Sequence, residues 1–230
     1  MRWMLTIVMA ALPVLAAAQE APVLKTDRDK LSYALGMDIA TQFKTRAVEV
    51  DPDLFARAMK DVLAGAKTAM TPDDVKTTIT DLQTRMSAKL QAEAQVAGDK
   101  NKADGEAFLA ANKTKDGVVT LPSGLQYKVI SMGIGKKPLA TDEVTVNYRG
   151  TTIDGKEFDS SYKRGQPATF PLNKVIKGWT EVVQLMPVGS KWQVFIPASL
   201  GYGERGAGPD IGPNSTLIFE IELMGIKQIS

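Results

Sequence analysis

Leu200-Gly201-Tyr202-Gly203-Glu204-Arg205-Gly206, followed by Ile211-Gly212-Pro213-Asn214-Ser215-Thr216-Leu217-Ile218-Phe219, sets one tyrosine hydroxyl at the root of a glycine-rich loop that leads into an alternating, β-branched strand. No titratable nucleophile stands beside that tyrosine, so chemistry here works through shape and hydrogen bonding. The heptapeptide also satisfies the Gly-x-Gly-x-x-Gly spacing of dinucleotide-binding loops, which require a helix to open directly after the last glycine. Gly208, Pro209, Gly212 and Pro213 interrupt every turn such a helix could use, and the next regular element is a strand, so the nucleotide reading is set aside. Gly150-Thr151-Thr152-Ile153-Asp154-Gly155-Lys156 has phosphate-loop spacing but continues into Glu157, where a magnesium-binding hydroxyl is needed. Asp154-Gly155 reads instead as a hairpin turn, since both residues tolerate positive φ.

The 230 residues suffice for two modest domains, and 44% hydrophobic with 23% charged is ordinary globular composition. A net charge of +2, from 28 basic and 26 acidic side chains, makes no electrostatic case for nucleic acid or an anionic membrane as the main partner. Binding is therefore expected to be led by apolar surface. The chain has 0 histidines and 0 cysteines. Serine-histidine-acid and cysteine-histidine triads, Cys/His zinc sites and imidazole acid/base catalysis are thereby removed, and neither a cofactor nor a metal is expected. The missing disulfides do not argue for the cytoplasm, because an oxidising compartment permits disulfides without requiring them.

Met1-Arg2 supplies a positive start, Met4 to Leu15 an apolar run broken only by Thr6 and Pro13, and Ala16-Ala17-Ala18 a small-residue cleavage site before Gln19. Residues 1–18 read as a Sec-type signal peptide. The alternative, a short membrane anchor, is disfavoured because the apolar run falls short of the roughly 20 residues that span a bilayer. The mature protein is expected in the periplasm with no transmembrane segment, and association with the outer membrane or the cell surface stays open.

Two hydrophobic periods divide the chain beyond Gln19. In 19–70, Leu31, Leu35, Ile39 and Phe43 form one helical stripe and Leu54, Phe55, Ala58, Met59, Val62 and Leu63 a second, which Asp51 caps with Pro52 in the first turn. Thr71-Pro72-Asp73-Asp74 opens a third helix over 71–113, with Val75, Ile79, Leu82, Met86 and Leu90 at three-and-four spacing. At 1.5 Å per residue it is about 60 Å long, so it is expected to reach into solvent, with Gly98 and Gly105 as points where it could bend or fray. The two short helices are too small to bury a core alone. They are read as an all-α module in which two chains pool their stripes as a homodimer, against the alternative of antiparallel packing on the long helix in a monomer.

From 114 to 230 the period is that of strands, expected at Leu125 to Ile130, Val144 to Thr151, Trp192 to Pro197 and Thr216 to Gly225. Val144, Val146 and Tyr148 alternate with Thr145, Asn147 and Arg149, as in a sheet with one buried face. One helix, from about Asn173 through Trp179 to Met186, is embedded among them. The fold class is α+β, a mostly antiparallel sheet wrapped around a short helix and preceded by an all-α domain with a long connecting helix.

The segment from about Leu121 to Ile226 resembles the FKBP-type peptidyl-prolyl cis-trans isomerases. The resemblance is carried by Val144-Thr145-Val146-Asn147-Tyr148-Arg149-Gly150, Gly155-Lys156-Glu157-Phe158-Asp159-Ser160-Ser161, Val175-Ile176-Lys177-Gly178-Trp179, Met186-Pro187-Val188-Gly189, Ile196-Pro197, Leu200-Gly201-Tyr202-Gly203 and the strand around Phe219. The helical half is similar to that of the secreted, homodimeric Mip/FkpA subgroup. The resemblance implies that Trp179 is the floor of a substrate pocket, Tyr148, Phe158, Phe170 and Phe219 its aromatic walls, and Val175 and Ile176 its rim. It further implies that the Ile176 N–H and the Tyr202 hydroxyl donate to the bound peptide, that Asp159 lies beside the twisting amide, and that Ile211 contacts substrate. Gly212-Pro213 stands where many single-domain members carry Pro-Pro, as is common in the Mip-like subgroup. Proline-containing unfolded or exported polypeptides are the implied partners, and macrolide-type inhibitors the implied ligands.

Isolated Trp, Phe and Tyr residues in a small α+β domain are usually core, and Asp159 before Ser160-Ser161 could be a turn acceptor. The joint pattern is what turns them into a site. The competing class is a non-catalytic holdase, in which long helical arms cradle clients and the pocket only binds.

Overall fold

The computed structural model describes residues 22–227; the signal peptide expected at 1–18 lies outside them. The described chain divides into two compact units, one ending at Val75 and the other beginning at Lys76. The first holds α1 (Asp27–Thr45), α2 (Pro52–Leu63) and the opening of α3 (Pro72–Asn112). Short polar side chains start each helix by accepting from orphan amides. Thr26 and Asp29 form a reciprocal capping box at α1, and the Asp51 carboxylate accepts from the amides of Asp53 and Leu54 ahead of α2. At α3, the Asp74 amide donates to Thr71 Oγ1 at 3.2 Å while Asp74 Oδ2 accepts from the Thr71 amide at 3.0 Å. No residue of α1 or α2 is buried. Phe43 and Phe55 do meet edge to face, at 5.7 Å between ring centroids.

In the second unit all seven strands join one antiparallel sheet: β1 (Val118–Thr120), β2 (Gln126–Ser131), β3 (Glu143–Thr152), β4 (Glu157–Ser160), β5 (Ala168–Pro171), β6 (Lys191–Ile196) and β7 (Leu217–Lys227). Their order is β1-β2-β6-β7-β3-β4, and β3 shares its outer edge between β4 at Arg149–Thr151 and β5 at Glu143–Val146. Alternate residues of β3 and β7 are buried, so Val144, Val146 and Tyr148 face the same core as Leu217, Phe219, Ile221 and Leu223. That face is covered by α5 (Lys177–Val183), whose Trp179, Val182 and Val183 complete the core with Leu125, Leu172 and Met186. Each such side chain contributes about 1.5–3 kcal/mol by leaving water.

The α+β reading and the antiparallel sheet are as expected, with local differences. Strand β1 goes unread in the sequence, because three residues between turn signals carry too little periodicity. The embedded helix is shorter than Asn173–Met186. A 3-10 turn at Leu172–Lys174 gives way to extended backbone at Val175 (φ −99, ψ 177) and Ile176 (φ −60, ψ 150) before α5 begins. Two consecutive β-branched residues favour that extended excursion. The β3–β4 hairpin exists, but Ile153 and Asp154 are its central residues: the Gly155 amide donates to the Thr152 carbonyl at 3.0 Å, and Gly155 alone takes the left-handed φ of 86°.

The largest difference concerns α3. Its extent, unbroken through Gly98 and Gly105, is as expected, but from Gly98 onward one face packs on the sheet instead of reaching into solvent. Phe108 meets the Phe195 ring at 5.9 Å, the Leu109 carbonyl accepts from Gln126 Nε2 at 2.8 Å, and Asn112 Nδ2 donates to Gln126 Oε1 at 2.9 Å. The glycines mark close approach of the Pro213 and Thr216 side chains to the helix, not places where the helix yields.

Candidate functional site

A cavity of about 670 Å³ opens between α5, β3, β4, β5, β7 and the loop before β7. Its floor is Trp179, held there because α5 starts abruptly after the extended Val175-Ile176 rim and turns its first apolar side chains inward. The indole is 4% exposed. Three rings meet it edge to face: Tyr148 at 5.1 Å, Phe219 at 5.3 Å and Phe170 at 6.0 Å between centroids. Phe158 stands against Phe219 in the same manner at 5.5 Å. Edge-to-face pairs bring a positive ring edge to a negative ring face, adding about 0.5–1.5 kcal/mol each beyond area burial. The walls are therefore preorganised by their mutual contacts. Gly150 in β3 makes the arrangement possible, since a Cβ there would stand 2.7 Å from both Phe158 and Phe219.

The polar groups sit on the rim. Asp159, at the end of β4, accepts from the Tyr148 hydroxyl and pairs with Arg164 Nη1, while Arg164 Nη2 donates to the Tyr148 oxygen at 2.7 Å. The guanidinium also lies 5.3 Å from the Tyr148 ring centroid. Burial, and then the bond to Asp159, push the Tyr148 hydroxyl above its ordinary value of 10.0. Burial, followed by the nearby negative Asp159, does the same to Tyr202. Both phenols are neutral donors across the physiological range. Tyr202 is 40% exposed between 3-10 turns at Ala198–Leu200 and Gly203–Arg205, and its hydroxyl has no hydrogen-bond partner among the described residues. The Ile176 N–H likewise has no partner among them, while its carbonyl accepts from Trp179 and Thr180 at 3.0 and 3.1 Å. Ile176 and Tyr202 both line the cavity.

All ten residues singled out in the sequence line this cavity: Tyr148, Phe158, Asp159, Phe170, Val175, Ile176, Trp179, Tyr202, Ile211 and Phe219. Phe219, whose place in an alternating strand allows a purely structural role, is at once 4% exposed core and pocket wall. Sequence reasoning missed Arg164 and the loop Ala207–Asp210. Arg164 had a signal: Ser160 caps the single turn α4 (Ser161–Arg164) and Gly165 ends it in the left-handed region, so the turn folds Arg164 back onto Asp159. The loop had none, since Ala207-Gly208-Pro209 carries no polar side chain and an isolated Asp210 reads as a solvated loop charge.

With neither base nor nucleophile at its centre, this site suits a reaction in which a bound group rotates. Residues 134–224 match the family described as FKBP-type peptidyl-prolyl cis-trans isomerase, and residues 28–129 match the domain amino terminal to FKBP-type peptidyl-prolyl isomerase. The chain is 50% identical over 218 residues to the outer membrane protein MIP of Legionella longbeachae, covering 95% of this chain and 94% of that one. It is 44% identical over 211 residues to the peptidyl-prolyl cis-trans isomerase Mip of Coxiella burnetii, covering 92% of each. The crystal structure of FkpA from Escherichia coli superposes with a TM-score of 0.67 at 35% identity, covering 89% of this chain and 99% of that one. An aromatic hollow with Tyr202 and Ile176 in its lining, in a chain matched along nearly its whole length, has one reading: the protein belongs to the FKBP-type peptidyl-prolyl cis-trans isomerases.

Proposed function

We propose that the hollow over Trp179 binds the prolyl ring of exported, unfolded polypeptides and lowers the barrier to rotation about the preceding imide. That barrier is about 18–20 kcal/mol because amide resonance is lost on twisting. The twisted imide is less charge-separated than the planar one, so stripping water from it in an apolar pocket favours the transition state over the ground state. The observation that carries the reading is the set of three rings edge-on to a buried indole, which makes the floor both dry and rigid. The Tyr202 hydroxyl and the Ile176 N–H hold flanking carbonyls so that rotation is confined to one bond. Arg164 and Tyr148 fix the Asp159 carboxylate beside the twisting amide.

In a protease-coupled assay on a short proline peptide, the protein is expected to accelerate isomerisation, with Tyr202→Phe retaining about a tenth to a third of wild-type kcat/KM through loss of one hydrogen bond. Binding without acceleration would instead support the holdase reading. A macrolide-type inhibitor is expected to occupy the same hollow and compete with the peptide. The pH profile separates this chemistry from proton transfer. There are 0 histidines and 0 cysteines to titrate near neutrality, and both pocket phenols are raised above 10.0. We expect kcat/KM to be flat from about pH 6 to about pH 9. Because a raised phenol favours the folded state only while protonated, the stability due to Tyr148 and Tyr202 is complete below pH 10.0 and is lost as pH rises through their folded values. A bell-shaped profile centred near neutrality would overturn the rotation mechanism.

The first unit supports a homodimer. Leu63 is 84% exposed, Leu54 69%, Val62 65% and Leu31 61%, an apolar surface a lone chain leaves in water. A second copy would cover it, and any margin left uncovered offers unfolded clients a holding surface. Among the described residues no helix is long and apolar enough to cross a membrane. With the apolar leader at residues 1–18 this fits a Sec-exported envelope protein, in the periplasm or associated with the outer membrane.

A further inference from the structure

The outer wall of the hollow, Ala207 to Ile211, is anchored at its ends, where Ile211 is buried in the core and Ala207 packs against it, and is held lightly between them. Ala207 and Ile211 exchange backbone hydrogen bonds of 2.8 and 3.2 Å that close its neck. Beyond the neck it is tethered by the ion pair of Asp210 with Lys156 at 2.8 Å, whose side chains are 47% and 56% exposed and therefore screened. The adjoining segment, Gly212 to Thr216, is held differently, because it lies against α3. Asn101 Nδ2 donates to the Pro213 carbonyl at 2.8 Å, and Asn214 Nδ2 to the Gly98 carbonyl at 3.4 Å. Asn214 takes a left-handed φ of 55° there, and its amide donates to the Gly203 carbonyl at 2.8 Å.

Glycine is the poorest helix former after proline, so two of them inside an unbroken helix call for a reason. At Gly105 an added Cβ would lie 2.3 Å from Thr216 Oγ1, and at Gly98 3.1 Å from the Pro213 Cβ. Both glycines, with Asn101 between them, are on the face that touches this segment. Pro213 is two residues past the pocket-lining Ile211, and Thr216 three residues before the pocket-lining Phe219.

We propose that α3 positions the outer wall of the prolyl pocket: by gripping Pro213–Thr216 it sets where Ala207–Ile211 stands over the substrate, and Asn101 and Gly105 are positioning residues for isomerisation. This rests on the assignment of the hollow over Trp179 as the prolyl pocket and adds to it a dependence on residues that do not line that pocket. The link is short and made of backbone, so a displacement at the grip reaches the wall directly. Rates that depend on held geometry are sensitive to misplacements of about 1 Å.

The test uses the full chain and the substitution Gly105→Ala. Alanine is the better helix former, so a role confined to helix stability predicts an unchanged or more stable protein, whereas the grip predicts a defect. Expected is a fall of about five- to tenfold in kcat/KM on a short proline peptide, carried mainly by KM. Hydrogen exchange at the Ala207 and Ile211 amides should accelerate while that in β3 stays unchanged. Adding Thr216→Ala removes the obstructing oxygen and should restore both readouts. Asn101→Ala, which adds no bulk, should shift them in the same direction. Trp179→Leu in the same assay reports on the pocket itself. If that variant is impaired while Gly105→Ala and Asn101→Ala behave as wild type, the α3 inference is overturned and the pocket reading survives; a fully active Trp179→Leu overturns the pocket reading. Lost activity in Gly105→Ala without faster exchange at Ala207 and Ile211 also overturns the inference.

Discussion

Replacing Trp179 by leucine is expected to lower kcat/KM for a proline peptide by about 10- to 100-fold while leaving the chain folded. The indole is the shared partner of Tyr148, Phe170 and Phe219, so its removal takes the floor from the pocket and unties three walls together. Leucine keeps the position apolar but leaves unfilled volume, which costs about 2–3 kcal/mol of stability, enough to be seen in a thermal melt without unfolding a domain of this size. The loss should fall on kcat as well as KM, because a floor that moves no longer excludes water as the imide twists. Loss in KM alone, with kcat intact, would make Trp179 a binding surface rather than part of the rotation machinery. The proposed dimer should be unaffected, since Trp179 lies in the unit that begins at Lys76.

The second large effect is expected at the other end of the chain. Leu35→Glu together with Val62→Glu places carboxylates on surfaces that are 54% and 65% exposed in the single chain. In a symmetric dimer each substitution occurs twice, and burying an unpaired carboxylate costs several kcal/mol, so four of them outweigh the association of two small helical modules. Sedimentation should report a particle of half the wild-type mass. Short-peptide kcat/KM should be retained, while refolding of a proline-limited protein slows, because a client held by two linked pockets experiences a raised effective concentration of catalyst. An unchanged mass would refute the proposed interface.

How far these effects could be foreseen differs along the chain. The membership of the pocket was read from the resemblance carried by the separated motifs, and the extended backbone at Val175 and Ile176 falls where the sequence reads as helix, whereas alternation in β3 and β7 turns Tyr148 and Phe219 inward and is legible locally. Asp51-Pro52 and Thr71-Pro72 mark helix starts for the same kind of reason, an orphan amide and a nearby oxygen. Arg164 was only half legible: its turn is marked by Ser160 and Gly165, but the chain does not say which carboxylate the turn brings it to.

Glycine is where local reading and tertiary structure part. Seen alone, Gly98 and Gly105 are weak links in a long helix; in the folded chain Gly105 admits Thr216 at a distance that excludes a side chain, and Gly98 admits Pro213 at one that leaves a Cβ little room. The amino-acid sequence determined most of the secondary elements and the polarity of their faces, since those arise from periods of a few residues and from short-range hydrogen bonding, and its motifs carried the resemblance that pointed to the aromatic residues of the site. The tertiary structure alone decided that α3 touches the loop behind the pocket and that Arg164 closes over Tyr148 and Asp159. Contacts such as Asn101 with Pro213 join residues remote along the chain, and no local pattern encodes which two surfaces meet once apolar faces have been buried.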